Sequence, residues 1–153
     1  MRAVRLAVRE GEVSALTVWQ GIEERLRTVS DLQNVLLGEP QNLHDLPAVY
    51  GAYERFTHPL RNTPPARNLS GFEHVFALRL VIRWVDNAQA EMQLLTLLDA
   101  IPLAIDADPK LGGRIIGGQA FISEGITGFS TIGDARYRVV DYTCTVLEKR
   151  EGT

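Results

Sequence analysis

The sequence predicts an α+β fold in which a single, mainly antiparallel β-sheet packs against two α-helices. Three observations carry that expectation. Segments 14–29 and 88–105 repeat apolar residues every three or four positions, the period of one helix face. Segment 72–85 instead repeats apolar residues every second position, the period of a strand. The other strand-like runs fall on both sides of the second helical segment, so the order is helix, strands, helix, strands.

Each element has a local reason. In the first helix Val13, Leu16, Trp19, Ile22, Leu26 and Val29 form the apolar stripe, with Glu23, Glu24, Arg25 and Arg27 opposite. Ser14 is its N-cap, because a hydroxyl there accepts from a free amide of the first turn. Val35–Leu37 is a short apolar run ended by Gly38. Residues 47–56, PAVYGAYERF, have the tyrosine, valine and phenylalanine content of a strand. Residues 57–71, THPLRNTPPARNLSG, hold three prolines with Asn, Ser and Gly, and read as a long irregular loop. Strand 72–85 places Phe72, Phe76, Leu78, Leu80, Ile82 and Trp84 on one face. Its other face mixes Arg79 and Arg83 with Val75, Val81 and Val85, the composition of a face that a partner covers or water solvates.

Asp86 and Asn87 cap the second helix, whose buried stripe is Leu94, Leu97, Leu98, Ile101 and Ile105. Pro102 ends or kinks it, since proline removes an amide donor and crowds the preceding turn. Asp108-Pro109 and Gly112-Gly113 mark turns. Residues 119–124, a short piece near 128–132, and 136–148 complete a strand meander. Residues 1–12 read as a leader or short strand, and residues 13–153 as one domain.

Composition bounds the functional classes. The chain has 153 residues, 45% hydrophobic and 23% charged, within the usual range of a soluble globular domain. A formal net charge of −3 supplies no global attraction to nucleic acid or an anionic membrane. The lone cysteine, Cys144, rules out an internal disulfide and suits a reducing compartment. The N-terminal stretch has no apolar run of signal-peptide length, and no window reaches the length of a membrane span. Synthesis and folding in the cytoplasm are the expectation.

The polar residues form no catalytic pattern. His44, His58 and His74 lack the close pairing of a helical zinc site and read as surface or edge histidines. Asp106-Ala107-Asp108 with Gly112 lacks the further ligands of a calcium loop and reads as a helix end and turn. The glycine-rich run 112–118 lacks the lysine and hydroxyl of a phosphate loop, and no serine sits in a G-x-S-x-G turn. Cys144, flanked by Val140, Tyr142 and Val146, has the setting of a buried, inert thiol. The expectation is no enzyme activity, no cofactor and no metal.

Arginines are the remaining candidates. Arg55, Arg61 and Arg67 flank or occupy the long loop with His58, while Arg79 and Arg83 share a strand face. They could line a channel through which DNA passes. The favoured alternative has them solvated or bridged to glutamates of a neighbouring subunit, because the net charge supports only weak non-specific contact with nucleic acid. Tyr50, Tyr53, Trp84 and Tyr137 could stack on bases, yet strand aromatics more often fill a core.

The order and spacing of the segments resemble a family. ALTVWQGIEERL, VLLGEP and PAVYGAYERF, then LRLVIRWVDN running into AEMQLLTLLDAIPLAIDADPKLGG, and finally FISEGITGFSTIGDARYRVVDYTCTVLEK are similar to the tail terminator proteins of long-tailed, non-contractile phages and to related tail-completion and head–tail joining subunits. The resemblance runs from about residue 13 onward. It implies a two-helix α+β domain forming a six-fold ring, a homohexamer that caps the tail tube, stops its polymerisation and offers a surface to the head or neck. The implied partners are the chain itself, the tube protein and a head–neck connector, with passive contact to DNA in the lumen and none to membrane. The implied location is the head-proximal end of the virion tail. The 57–71 loop matches the place where such proteins carry an extended contact segment, so Arg55, His58, Arg61, Arg67, Arg79 and Arg83 are the assembly-contact candidates. The alternatives are a head-closure or stopper subunit at the neck, or a small ligand-binding or enzyme domain in which Asp141, Glu124 or His74 converge.

Overall fold

The computed structural model describes residues 14–57, 69–115 and 117–151. The leader 1–12 and most of the long loop, with His58, Arg61 and Arg67, lie outside the described residues. The elements are α1 (Ala15–Leu26), β1 (Asn34–Leu37), β2 (Ala48–Thr57), β3 (Leu69–Arg83), α2 (Asn87–Leu98), α3 (Ala100–Asp106), β4 (Gln119–Ile132) and β5 (Ala135–Glu151). The fold is α+β. One five-stranded sheet has the order β1-β2-β3-β5-β4, antiparallel throughout except for the parallel β1–β2 pair.

α1 starts where its cap predicts, with the Ser14 side chain accepting from the Thr17 amide at 3.1 Å. Val18, Trp19, Ile22 and Leu26 bury its stripe. The helix ends at Leu26, earlier than the apolar period, and Val29 follows in a turn whose amide donates to the Leu26 carbonyl at 3.0 Å. Val29 still packs on the core, so the stripe outlasts the helix by one turn.

The second helical segment divides at Asp99, three positions ahead of Pro102. Proline at 102 cannot donate to the carbonyl four residues back, which is that of Leu98, and its ring crowds the same carbonyl. That freed oxygen accepts the Tyr142 hydroxyl of β5 at 2.8 Å. The break is thereby satisfied from the sheet.

Residues 119–124 and 128–132, read separately in the sequence, form the single strand β4, with an irregularity between Ile122 and Glu124 where the extra residue is absorbed. Gly125 sits where a Cβ would lie 3.1 Å from the Tyr142 ring, so a glycine keeps the strand close to β5 there. β4 and β5 join through Gly133 and Asp134, Gly133 having φ +64.

The main core lies between the helices and one sheet face: Val18, Ile22 and Leu26 of α1, Leu94, Leu97, Ile101 and Ile105 of α2 and α3, and Phe76, Leu78, Leu80, Ile82, Val140, Tyr142, Cys144 and Val146 of the sheet. On the opposite face Tyr50, Val81 and Val139 are covered by Leu36, Leu43, Leu46 and Tyr137. Arg25 ties α1 to the end of α3, donating to the Ala104 carbonyl at 2.9 Å, and Arg114 bridges to Glu24 at 2.8 Å.

Candidate docking surfaces

Arg79 lies on the sheet face away from the helices, level with Tyr50 and Asp141. Its guanidinium makes a two-pronged contact with Asp141, Nε at 2.6 Å and Nη2 at 3.0 Å, and reaches Ser130 Oγ at 3.3 Å. The hydrogen bond to Asp141 is the main reason its affinity for the proton rises further. Burial raises the Tyr50 phenol beside it, with Arg79 opposing that rise. Arg55 meets its neighbour Glu54 at 3.4 Å. Arg83 is exposed and has no carboxylate partner among the described residues. Of the three described arginine candidates, the geometry thus commits Arg79 to an internal pair and leaves Arg83 outward.

His74 is a correction to the surface reading. It is 5% exposed, on the same strand face as Phe76 and Leu78. Its Nδ1 lies 2.8 Å from the Tyr53 hydroxyl and its Nε2 lies 3.3 Å from Glu148 Oε1. With Glu148 as a carboxylate, Nε2 donates to it and Nδ1 accepts from the phenol, the tautomer those partners require. Phe72 stacks on the imidazole at 6.0 Å and Tyr53 meets Phe76 edge-on at 5.1 Å. Burial, then Glu148, raises the Tyr53 phenol. The alternation that put Phe72 and Phe76 on one face carried the signal for His74. Glu148 gave none, since its partner is 74 positions away. Asp141 and Glu124 do not join this cluster: Asp141 pairs with Arg79 and Glu124 is exposed.

A third surface forms where the β4–β5 hairpin meets the end of β3. The Arg136 guanidinium lies 4.6 Å from the Trp84 ring and 4.4 Å from Phe129, and Arg138 lies 4.6 Å from Phe129. Arg138 is held by Glu91 of α2 at 2.5 Å and by the Gly128 carbonyl at 2.8 Å. Arg83, Trp84, Ala135, Arg136 and Tyr137 line an open cleft of about 380 Å3. Sequence reasoning missed Arg136 and Arg138, because their stacking depends on the unpredicted continuity of β4. Further along the surface, exposed apolar groups include Ile126, Phe129 and Leu37.

Among the described residues no three of His, Cys, Asp and Glu gather as metal ligands would, and no helix is long and apolar enough to cross a membrane. Burial pushes the Cys144 thiol up to about 12.

These features define an α+β chain whose charged and aromatic groups are spread over strand faces, a sheet edge and a hairpin end. No family model and no curated protein matches the sequence. Among solved structures, the fold is similar to the sheath/tube terminator of an extracellular contractile injection system (PVC), solved by electron cryo-microscopy in the extended state. The TM-score is 0.54 at 10% identity, covering 92% of this chain. The chain spans 60% of the length of that neighbour.

Proposed function

We propose that this chain is a tail-terminator subunit. In this reading it is a structural, non-enzymatic protein that assembles with copies of itself into a ring, six-fold as the family resemblance implies, at the head-proximal end of a tail tube. The ring stops tube polymerisation and offers its outer face to a head or neck connector. Residues 13–153 act as one domain, preceded by the leader 1–12. The observation that supports the reading is the agreement of nearly the whole chain with the fold of a sheath/tube terminator. The distribution of polar chemistry supports it, because a ring subunit needs complementary patches more than a reactive cleft.

Among the contact candidates, Arg83 is the described residue best placed to meet a partner, being exposed at the end of β3 in the cleft it shares with the hairpin. Arg55 borders the long loop, and Arg79 acts by holding Asp141 in place. His58, Arg61 and Arg67 belong to the loop itself.

The test is polymerisation of the cognate tube protein with and without the purified chain, followed by electron microscopy. The expected result is density at one end of each tube and arrest of growth from that end. Tubes that elongate at an unchanged rate with both ends bare would overturn the proposal.

A further inference from the structure

The sheet has two outer strands, β1 on one side and β4 on the other, and among the described residues neither has a neighbour beyond it. Proteins commonly blunt such an edge with lysine, proline or shortness. β1 is kept to four residues, whereas β4 is 14 residues long, contains no lysine, arginine or proline, and departs from regular pairing only between Ile122 and Glu124. Gly128 on this strand has only one atom within 4 Å of an added Cβ, at 3.8 Å, so packing within the chain does not demand a glycine there. A strand glycine of that kind often marks the close approach of another backbone.

The pairings fix the directions of the two edges. β1 is parallel to β2, and each step from β2 to β3, β5 and β4 is antiparallel, so β1 and β4 run in opposite senses. Two copies set side by side in the same orientation bring β4 of one against β1 of the next as an antiparallel pair, the stronger ladder. The register also sets the height. Leu36 is level with Tyr50, Arg79, Asp141 and Ile126, all on one face. An unstaggered contact therefore places Leu36 of one copy against Ile126 of another, a residue 61% exposed in the single chain.

Charge agrees with that placement. Asn34 is level with Gly128, and the chain just before β1 and β2 lies at the same end of the sheet as the β4–β5 turn. At the β1 side of that end stand Asp31 and Asp45, exposed and without an ion pair among the described residues. At the β4 side stands Arg136, on the adjacent strand β5, exposed and likewise unpaired with any described carboxylate, whereas Arg83 ends the central strand β3. Trp84 and Phe129 hold the Arg136 guanidinium in position.

We propose that copies of this chain associate edge to edge, β4 of one antiparallel to β1 of the next, with the Arg136 end of the β4–β5 hairpin docked on the turns carrying Asp31 and Asp45. The contact joins unlike surfaces, so it closes into a ring when the rotation per copy divides a full turn. The inference deepens the ring part of the terminator reading and rests on it for the premise that copies meet.

Charge exchange tests it. One variant carries Arg136→Glu, the other Asp31→Arg with Asp45→Arg. All three positions are exposed, and circular dichroism checks that each variant folds. The wild-type chain is expected to associate in sedimentation velocity, and each variant alone to raise the dissociation constant on the order of a hundredfold, because like charges then face each other. An equimolar mixture restores association, with native mass spectra showing even-numbered assemblies of alternating copies. A wild-type chain that stays monomeric at every concentration, or a mixture that stays dissociated, overturns the edge contact. Association that survives the reversals also overturns it and leaves the terminator reading standing. Restored association in a chain that fails to arrest tube growth overturns the terminator reading and leaves the edge contact standing.

Discussion

Pro102, Leu98 and Tyr142 form a three-residue unit in which a helix fault and a sheet hydroxyl answer each other. The Leu98 carbonyl has no donor at position 102, and the Tyr142 hydroxyl supplies one at 2.8 Å from a residue 3% exposed. Tyr142→Phe strands a part-buried acceptor, at an expected cost of about 1–3 kcal/mol in urea denaturation. In a Pro102→Ala background, residue 102 regains an amide that can reach the Leu98 carbonyl, so the same change costs less. Equal costs in both backgrounds would show that the hydroxyl acts independently of the proline. The same buried row gives a pH dependence. The Cys144 thiol is raised from 9.0 to about 12 by burial, and the Tyr142 phenol is raised by burial and then by Asp99. A group that holds its proton more tightly when folded contributes stability fully present below its unfolded value and lost as pH rises from there towards the folded one. Chemical stability should thus decline above about pH 9, less steeply in Cys144→Ala. At neutral pH the native thiol should resist a thiol reagent that labels it fully in denaturant. Rapid native labelling would contradict its burial.

Elements show why some of this was legible in the sequence and some was not. α1 was readable because its cap and its stripe are local signals. Its early end was not, because Val29 keeps its place in the core from a turn. β4 looked like two pieces because Gly125 and Gly128 interrupt its side-chain pattern, whereas the ladder to β5 runs through both. A partner strand supplied what the local sequence withheld. The long-range polar pairs were invisible for the same reason: Arg79 with Asp141, Arg138 with Glu91 and His74 with Glu148 are joined only by register and packing. Two glycines carry constraints that mutation can read. A Cβ at Gly51 would lie 2.4 Å from Trp19, so β2 passes directly beneath the indole of α1. Gly51→Ala is expected to destabilise by about 1–3 kcal/mol through displacement of that ring, with a change in tryptophan fluorescence. Unchanged fluorescence would place the indole elsewhere. Gly133 opens the hairpin turn at φ +64, a conformation costly for any residue with a Cβ. Gly133→Ala should cost about 1 kcal/mol without altering the core.

At the scale of the whole molecule, the sheet is longer than the core that supports it. Residues 52–57 of β2 are exposed, and the loop that follows them joins two strands already paired as neighbours, Thr57 opposite Glu73. Removing residues 60–68 leaves His58 and Pro59 to connect to Leu69, and six residues then lie between Thr57 and Glu73, ample for a hairpin connection. The β3–β5 ladder starts at Leu69, directly after the deleted segment, while the main core draws on no residue from 57 to 72 among those described. Loop shortening changes closure entropy only slowly with length, so the deletion should shift the thermal midpoint by no more than a few degrees. Its expected effect lies in assembly: the deleted chain stays folded but no longer forms rings or arrests tube growth. If it forms normal rings by native mass measurement, the prolines and arginines of that loop are dispensable, and the contacts must come from the strand edges and the hairpin end alone.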